Sequence, residues 1–221
     1  YKTLRTKGFI MSIVTLNDRG VRSVTTFGSV NAGSMVFIKK LTASSSSTLS
    51  FVNGSSDVTL DSTFKEYVFT FKNIHPSTNH TDFKFNMSID GGSNYNVTKT
   101  TTSFNAYHSE NDSATGLQYH AGSDLAQSTG DQNIAYYVSD DNDGSVSGKM
   151  FLFNPSSTTF VKHFIINANG MYKDTGDGNS PYTHNFYTAG YGNTTSAVNA
   201  IIFRMSSGNI DSGDICLYGV L

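Results

Sequence analysis

The spacing most suggestive of chemistry lies in an acidic stretch, SDDNDG, at residues 139–144. A calcium loop of the EF-hand type needs oxygen ligands at positions 1, 3 and 5, glycine at 6 and an acidic residue at 12. Counting from the first residue of the stretch, Asp141, Asp143 and Gly144 fit, but the acidic position is occupied by Met150. The pattern therefore favours an acidic turn between strands. Asp141 and Asp143 are weak calcium candidates, and no metal site is predicted.

Signatures of catalysis do not occur along the chain. The six histidines include no HxH or HExxH spacing, so no zinc site is marked in the sequence. There is no GxSxG and no glycine-rich strand-to-helix loop. Glu66 and Glu110 are the only glutamates and the aspartates cluster in turns, so no carboxylate pair suggests glycosidase chemistry. We predict no enzymatic activity and no cofactor.

Aromatic residues are concentrated in the segment Asn179–Tyr191, NSPYTHNFYTAGY. We predict that this segment is an exposed aromatic loop, with candidate surface-contact residues Tyr182, His184, Phe186, Tyr187 and Tyr191. Such rings could stack on sugars, or they could bury their apolar bodies and leave their hydroxyls at a surface. Carbohydrate-binding sandwiches commonly use tryptophan and this chain has none, which favours the second interpretation.

Cys216 is the only cysteine, so neither an intrachain disulfide nor a CxxC metal site can form. Its context, DICLY, predicts a strand in which the thiol packs as a small buried hydrophobe. An exposed domain without disulfides is consistent with assembly in a reducing cytoplasm before release.

The composition is polar but poor in charge, with 15 Lys+Arg and 17 Asp+Glu among 221 residues and a formal net charge of −2. This balance provides no electrostatic reason to bind nucleic acid or an anionic membrane. No apolar run approaches the length of about 18 residues that a membrane-spanning helix requires. Six N-x-S/T sequons occur, but the abundance of Asn, Ser and Thr alone accounts for roughly five, so they do not indicate a glycoprotein.

Alternation of apolar and polar residues dominates the chain and predicts strands separated by polar turns. In Glu66–Asn73, for example, Tyr67, Phe69 and Phe71 share one face. Strands are predicted at 34–42, 48–52, 58–60, 66–73, 83–89, 101–107, 134–138, 147–154, 160–168, 182–187, 197–205 and 214–220. The longest segment between predicted strands is Ser109–Asp131, and a short helical turn is predicted within it at residues 124–127. The fold expected for residues 34–221 is one antiparallel, jelly-roll-like β-sandwich.

Residues 1–33 have few large core residues. We predict that Met11–Gly33 is an extended arm that docks on a neighbouring subunit, where Arg19 and Arg22 make charge-assisted contacts. The first ten residues are read as a basic anchoring extension, or as sequence preceding a natural start at Met11.

Several long strings resemble virion structural proteins of tailed phages, those infecting marine bacteria and cyanobacteria most closely. These strings are MSIVTLNDRGVRSVT, IKKLTASSSSTLSF, KEYVFTFKNIHPSTN, FNPSSTTFVKHF and SSGNIDSGDICLYGV. The resemblance extends over nearly the whole chain from Met11. It implies a β-sandwich body that assembles into oligomers, often trimers, in a virion built in the host cytoplasm. It carries no catalytic residues.

The resemblance implies a non-enzymatic, tail-fibre-like component that contacts other virion proteins and a host glycan or surface protein. One alternative is a capsid decoration protein, a cement or head fibre, that stabilises the head. A second alternative is a carbohydrate-binding module of a secreted enzyme. Neither nucleic-acid binding nor membrane insertion is expected.

Overall fold

A computed structural model describes residues 34–173 and 181–221. In these residues the apolar–polar alternation produces twelve strands, and the predicted all-β sandwich is confirmed. The strands are β1 (Met35–Thr42), β2 (Leu49–Val52), β3 (Glu66–Pro76), β4 (Thr81–Ser88), β5 (Lys99–Ser109), β6 (Thr115–Tyr119), β7 (Gln132–Val138), β8 (Val146–Phe153), β9 (Lys162–Tyr172), β10 (Tyr182–Gly192), β11 (Ala200–Met205) and β12 (Ile210–Val220).

The strands form two antiparallel sheets of unequal width. The larger has eight strands in the order β1-β12-β3-β8-β9-β10-β5-β6, and the smaller has four in the order β2-β11-β4-β7. Strands β1-β12-β3-β8 together with the smaller sheet have the strand order of a jelly roll, in which two Greek keys form facing four-stranded sheets. The β5–β6 and β9–β10 pairs are additions that widen one sheet. The added strands β9 and β10 still pack on the smaller sheet, where Phe85 of β4 meets Phe164 of β9 and Tyr136 of β7 meets Phe186 of β10.

Phenylalanine rings from both sheets form the centre of the core. Phe203 on β11 lies 5.4 Å from the rings of both Phe69 and Phe71 and 6.2 Å from Phe51, measured between ring centroids. All four side chains are at most 3% exposed. All three pairs meet edge to face or tilted, the arrangement that the ring quadrupole favours, and each contributes about 1 kcal/mol beyond area burial. The core therefore fixes how the two sheets face each other.

Two predicted elements are wrong. Val58 and Leu60 are buried but lie in a turn rather than a strand, where Val58 N–H donates to Ser55 O and Leu60 N–H to Asn53 Oδ1. The break at Ser109–Asp131 contains strand β6, and residues 124–127 form no helix. There, the Leu125 carbonyl accepts the Thr101 backbone N–H of β5 and the Leu125 N–H donates to Thr101 Oγ1, so this segment runs along the sheet edge beyond β6 instead of forming a helical turn.

Residues 1–33 lie outside the described residues, so the anchoring arm and its contacts through Arg19 and Arg22 stay predictions. Within residues 34–173 and 181–221, no helix is long and apolar enough to cross a membrane.

Candidate interaction surface

The side of the larger sheet that faces away from the core presents a continuous surface on β9, β10, β5 and β6. Its position follows from the pairing register: Phe186 is in the core opposite Ala168, so the next pair, Tyr187 and Asn167, points outward. We call these outward residues the outer-face patch. Its members are Thr100, Thr102, Phe104, Ala106, His108, Thr115, Leu117, Tyr119, His163, Ile165, Asn167, Asn169, Met171, Thr183, Asn185, Tyr187, Ala189 and Tyr191.

The outer-face patch contains no Asp, Glu, Lys or Arg. Large apolar side chains are exposed on it: Leu117 is 73% exposed, Tyr119 59% and Ile165 49%. Phe104 and Tyr187 are also exposed. Scattered apolar residues are normal on a protein surface, but a contiguous exposed group is characteristic of an interaction site. The patch is therefore the strongest candidate for a functional surface among the described residues.

Aromatic packing holds part of the outer-face patch rigid. Phe104 and Tyr187 are cross-strand partners whose rings stack with centroids 5.0 Å apart and planes 10° apart. Tyr119 on the edge strand is the partner of Phe104 on its other side, and its hydroxyl donates to Asp124. Rings held on paired strands lose little conformational entropy on contact with a partner.

The amides of the outer-face patch are already engaged with one another. Asn167 Nδ2 donates to Asn185 Oδ1 at 3.0 Å, and Asn185 Nδ2 donates to the Tyr187 hydroxyl at 2.9 Å. Asn169 Nδ2 donates to Thr183 Oγ1 and to the His184 carbonyl, both at 2.9 Å. These groups are less available to a polar ligand, and they stiffen the patch.

A shallow open depression of about 580 Å³ lies at one end of the outer-face patch. It is lined by the small residues Ala189 and Gly190 and by the side chains of Phe153, His163 and Tyr191. A Cβ at Gly190 would come within 2.5 Å of Thr100 O, so only glycine fits there. The depression could receive a protruding side chain from a partner.

The predicted surface-contact residues lie on strand β10 rather than in a loop, so that part of the prediction is corrected. Alternation divides them between the two faces of the sheet. Tyr187 and Tyr191 belong to the outer-face patch, whereas His184 and Phe186 are buried on the inner face at 7% and 3% exposure. Tyr182 shares the inner-face register at the start of the strand. Only two of the five therefore lie where a partner could contact them.

The buried members of β10 belong to an aromatic cluster against β7. The His184 ring lies 5.6 Å from that of Tyr136 and 5.7 Å from that of Tyr107, and Tyr136 stacks on His120 at 4.0 Å. His184 Nδ1 and both polar atoms of Asn105 are buried without a hydrogen-bond partner in the protein. Burial, with a smaller contribution from the charge of His120, lowers the pKa of His184 to about 4. His184 is therefore a neutral core residue near pH 7.

The acidic turn does not assemble a metal site. Asp141 forms an ion pair with Lys173 at 2.9 Å, and this hydrogen bond lowers the pKa of its carboxyl. The Asp141 carbonyl accepts a hydrogen bond from His75 Nε2 at 3.1 Å. Across residues 34–173 and 181–221, no three His, Cys, Asp or Glu side chains are grouped as metal ligands would be.

Cys216 lies on β12 and is half-buried, not fully buried as predicted. Its cross-strand neighbours are Lys40 and Thr70, and Thr70 points away from the core, so the thiol lies on the outer side of the larger sheet.

Sequence reasoning did not place Leu117, Tyr119 or Ile165 among the surface-contact residues, although they are three of the most exposed members of the outer-face patch. Ile165 lies within a predicted strand, and its position between Phe164 and Ile166 gave three apolar residues in a row. Ile165 is apolar at a position where the alternation of the strand calls for an outward, polar residue, and this mismatch is the signal that could have identified it. Strand β6 had no such signal because its side chains are almost all exposed.

Comparisons of the chain with protein-family models, with curated protein sequences and with solved structures found no match.

Proposed function

We propose that the protein is a non-enzymatic structural protein of a phage virion, displayed on the particle as a tail-fibre-like component that contacts the host. The sequence resemblance supports the virion setting. The observation that carries the structural part of the proposal is the exposed, charge-free outer-face patch.

The occupant that best fits the outer-face patch is another copy of this chain. A charge-free surface meets its own copy without like-charge repulsion, and each buried Å² of apolar surface contributes about 25 cal/mol. Rings pre-positioned by stacking, such as Phe104 and Tyr187, lower the entropic cost of association. The resemblance favours a trimer.

A sugar is a weaker candidate for the same patch. Sugar recognition needs polar groups that can form new hydrogen bonds with the ligand, and here Asn167, Asn169 and Asn185 are engaged with neighbouring groups. In this proposal, host contact is made elsewhere on the assembled particle protein.

Adding charge to the outer-face patch tests self-association. The double variant Ile165→Lys, Tyr187→Lys should shift the chain from oligomer to monomer in light scattering after size-exclusion chromatography, because each copy would bury unpaired ammonium groups. Ile89→Lys, which adds one such charge at an exposed apolar side chain in the turn after β4, is the control and should leave the oligomer intact. A wild-type chain that stays monomeric at high concentration would refute the proposal.

The particle assignment needs purified virions. Mass spectrometry should detect the chain, and its copy number separates a fibre, present in few copies, from a decoration protein that repeats over the capsid. Deleting residues 1–33 should abolish incorporation and leave the sandwich folded by circular dichroism. Incorporation of the truncated chain would contradict the anchoring arm. Specific hits of the isolated chain on a glycan array would favour the carbohydrate-binding alternative.

A further inference from the structure

Lys99, the first residue of β5, is completely buried at 0% exposure, which is rare for lysine. Its Nζ donates to Asn86 Oδ1 at 2.6 Å and to the Val97 carbonyl at 2.7 Å. Burial lowers the pKa of Lys99 to about 8, against the opposing charge of Asp131. At pH 7, Lys99 is therefore the neutral, nucleophilic amine in roughly a tenth of the molecules, a far larger fraction than for an exposed lysine.

Asn86 on β4 is 2% exposed and held in one orientation. Its Oδ1 accepts the Met87 backbone N–H at 2.9 Å as well as the Lys99 ammonium. Its Nδ2 donates to the Thr129 carbonyl at 3.1 Å and to Asp131 Oδ1 at 2.9 Å. Donors on the oxygen polarise the carbonyl and would stabilise negative charge developing there.

Asp131 stands beside the amide nitrogen of Asn86 as a carboxylate. Burial would raise the pKa of Asp131, but hydrogen bonds from Arg204 and Asn86 outweigh it and hold that pKa below its ordinary value. Arg204 binds both carboxylate oxygens, at 2.7 and 2.8 Å. Asp131 is thus a fixed carboxylate at the Asn86 nitrogen, where its charge would stabilise positive charge that develops as ammonia leaves.

We propose that Lys99 and Asn86 form an intramolecular amide cross-link, with loss of ammonia. The carbonyl bond is only about 1.23 Å long, so a hydrogen bond to Oδ1 as short as this one places Nζ roughly 3–4 Å from Cγ. A buried amine held this close to a polarised carbonyl has the advantage of an intramolecular reaction.

The reaction balances without any co-reactant. The Lys99 ammonium loses one proton to solvent, and the Nζ lone pair adds to Asn86 Cγ while the carbonyl electron pair moves to Oδ1. A second proton passes from Nζ to Nδ2, beside which the Asp131 carboxylate stabilises the positive charge that develops on the leaving nitrogen. The Cγ–Nδ2 bond then breaks with its electron pair, the carbonyl re-forms, and ammonia leaves.

The product would tie β4 of the smaller sheet to β5 of the larger sheet. Such a link is insensitive to reducing agents, in a chain whose single cysteine cannot form an intrachain disulfide. It would hold β5, one of the added strands of the larger sheet, to β4 of the jelly-roll body.

Lys162 provides an internal control. It is also 0% exposed, but its Nζ donates only to the backbone carbonyls of Ser157, Phe160 and Thr194. Attack of Lys162 on a backbone carbonyl would cleave the main chain instead of releasing ammonia. No cross-link is therefore expected at Lys162.

Intact mass spectrometry of the purified full chain tests the proposal. The wild-type mass should be about 17 Da, one ammonia, below that of the sequence. Lys99→Met and Asn86→Ala should each restore the full mass, while Lys162→Met should keep the deficit. Asp131→Asn should slow the loss of ammonia at least tenfold when the mass is followed in time after synthesis.

Trypsin locates the bond independently of the variants. Cross-linked Lys99 resists cleavage, so the denatured wild-type chain should yield a peptide spanning residues 85–149 with the mass deficit. Without the link, trypsin releases residues 85–99 and 100–149 separately. A full intact mass, or release of residues 85–99 at full mass, would overturn the proposal. A deficit located in another peptide, such as a succinimide at Asn53-Gly54, would overturn it too.

Discussion

The two ends of the inner face of β10 bury basic side chains in opposite ways. At the lysine end, Lys99 and Lys162 flank Gly192 in register, and each ammonium is surrounded by hydrogen-bond acceptors. At the histidine end, the ring of His184 is packed among aromatic residues, and Nδ1 has no partner. Burial lowers the pKa at both ends. The supply of acceptors decides whether the buried base stays a cation or becomes neutral.

This difference predicts opposite responses to mutation. At the lysine end, removing a polar side chain leaves its buried partners without a hydrogen bond and should destabilise the fold. At the histidine end, replacing an unpartnered polar side chain by an apolar one should be tolerated or stabilising.

The largest effect is expected for Lys99→Met. It removes the donor that Asn86 and Val97 share, together with the proposed cross-link, so the free energy of unfolding should fall by about 4 kcal/mol. Urea unfolding followed by circular dichroism measures this. Lys65→Met, at an exposed lysine, is the control and should change little. A loss below about 1 kcal/mol would mean that Lys99 does not hold this end together.

Acid should weaken the histidine end next. The pKa of His184 is about 4 in the folded chain, whereas an unfolded histidine has an ordinary value of about 6.5. Between these values the unfolded chain takes up a proton that the folded chain does not, so stability falls as the pH falls from 6.5 to 4. The loss should reach about 3 kcal/mol.

Urea midpoints at pH 7.5 and 4.5 measure this loss, and His184→Phe should reduce it. His108→Phe, at an exposed histidine, should retain the wild-type pH dependence. An unchanged dependence in His184→Phe would show that another group governs acid unfolding.

Lys162→Met should lower the free energy of unfolding by about 2 kcal/mol, less than Lys99→Met. It leaves backbone carbonyls without a donor, but these lie near the surface, where water can reach them after a small local movement. The same urea measurement applies. A cost equal to that of Lys99→Met would remove the reason for treating the two lysines differently.

The smallest effect, and the one of opposite sign, is expected for Asn105→Leu. Asn105 is 1% exposed and neither polar atom has a partner, so an apolar side chain of similar size should raise the free energy of unfolding by about 1 kcal/mol. Asn86→Leu makes the same chemical change at the lysine end and should destabilise. If both variants destabilise equally, the contrast between the two ends fails.

Sequence alternation predicted the body of the fold well because burial on one face leaves a period of two. Tyr67, Phe69 and Phe71 lie in the core as expected, and so do Phe83 and Phe85. The same reasoning failed for β6, an edge strand with no buried face, and for Val58, which is buried by a turn. Alternation reports burial and not backbone pairing.

The chemistry of the inner face was beyond prediction for a different reason. Lysine and asparagine normally indicate surface, so the inward sequence Lys99, Thr101, Ser103 and Asn105 does not resemble a buried strand face. The contact between Lys99 and Asn86 also depends on how two sheets meet. Three of the five predicted contact residues on β10 lie on the inner face because one strand presents alternate residues to opposite faces.

The absence of charge from the outer-face patch has a consequence for the medium in which the protein works. At ionic strengths near 1 M the Debye length shrinks to about 3 Å, and contacts that depend on exposed ion pairs weaken. A surface without Asp, Glu, Lys or Arg has no such contacts to lose, and excluded salts strengthen apolar burial. Assembly through this patch would therefore keep or gain affinity from dilute buffer to brine.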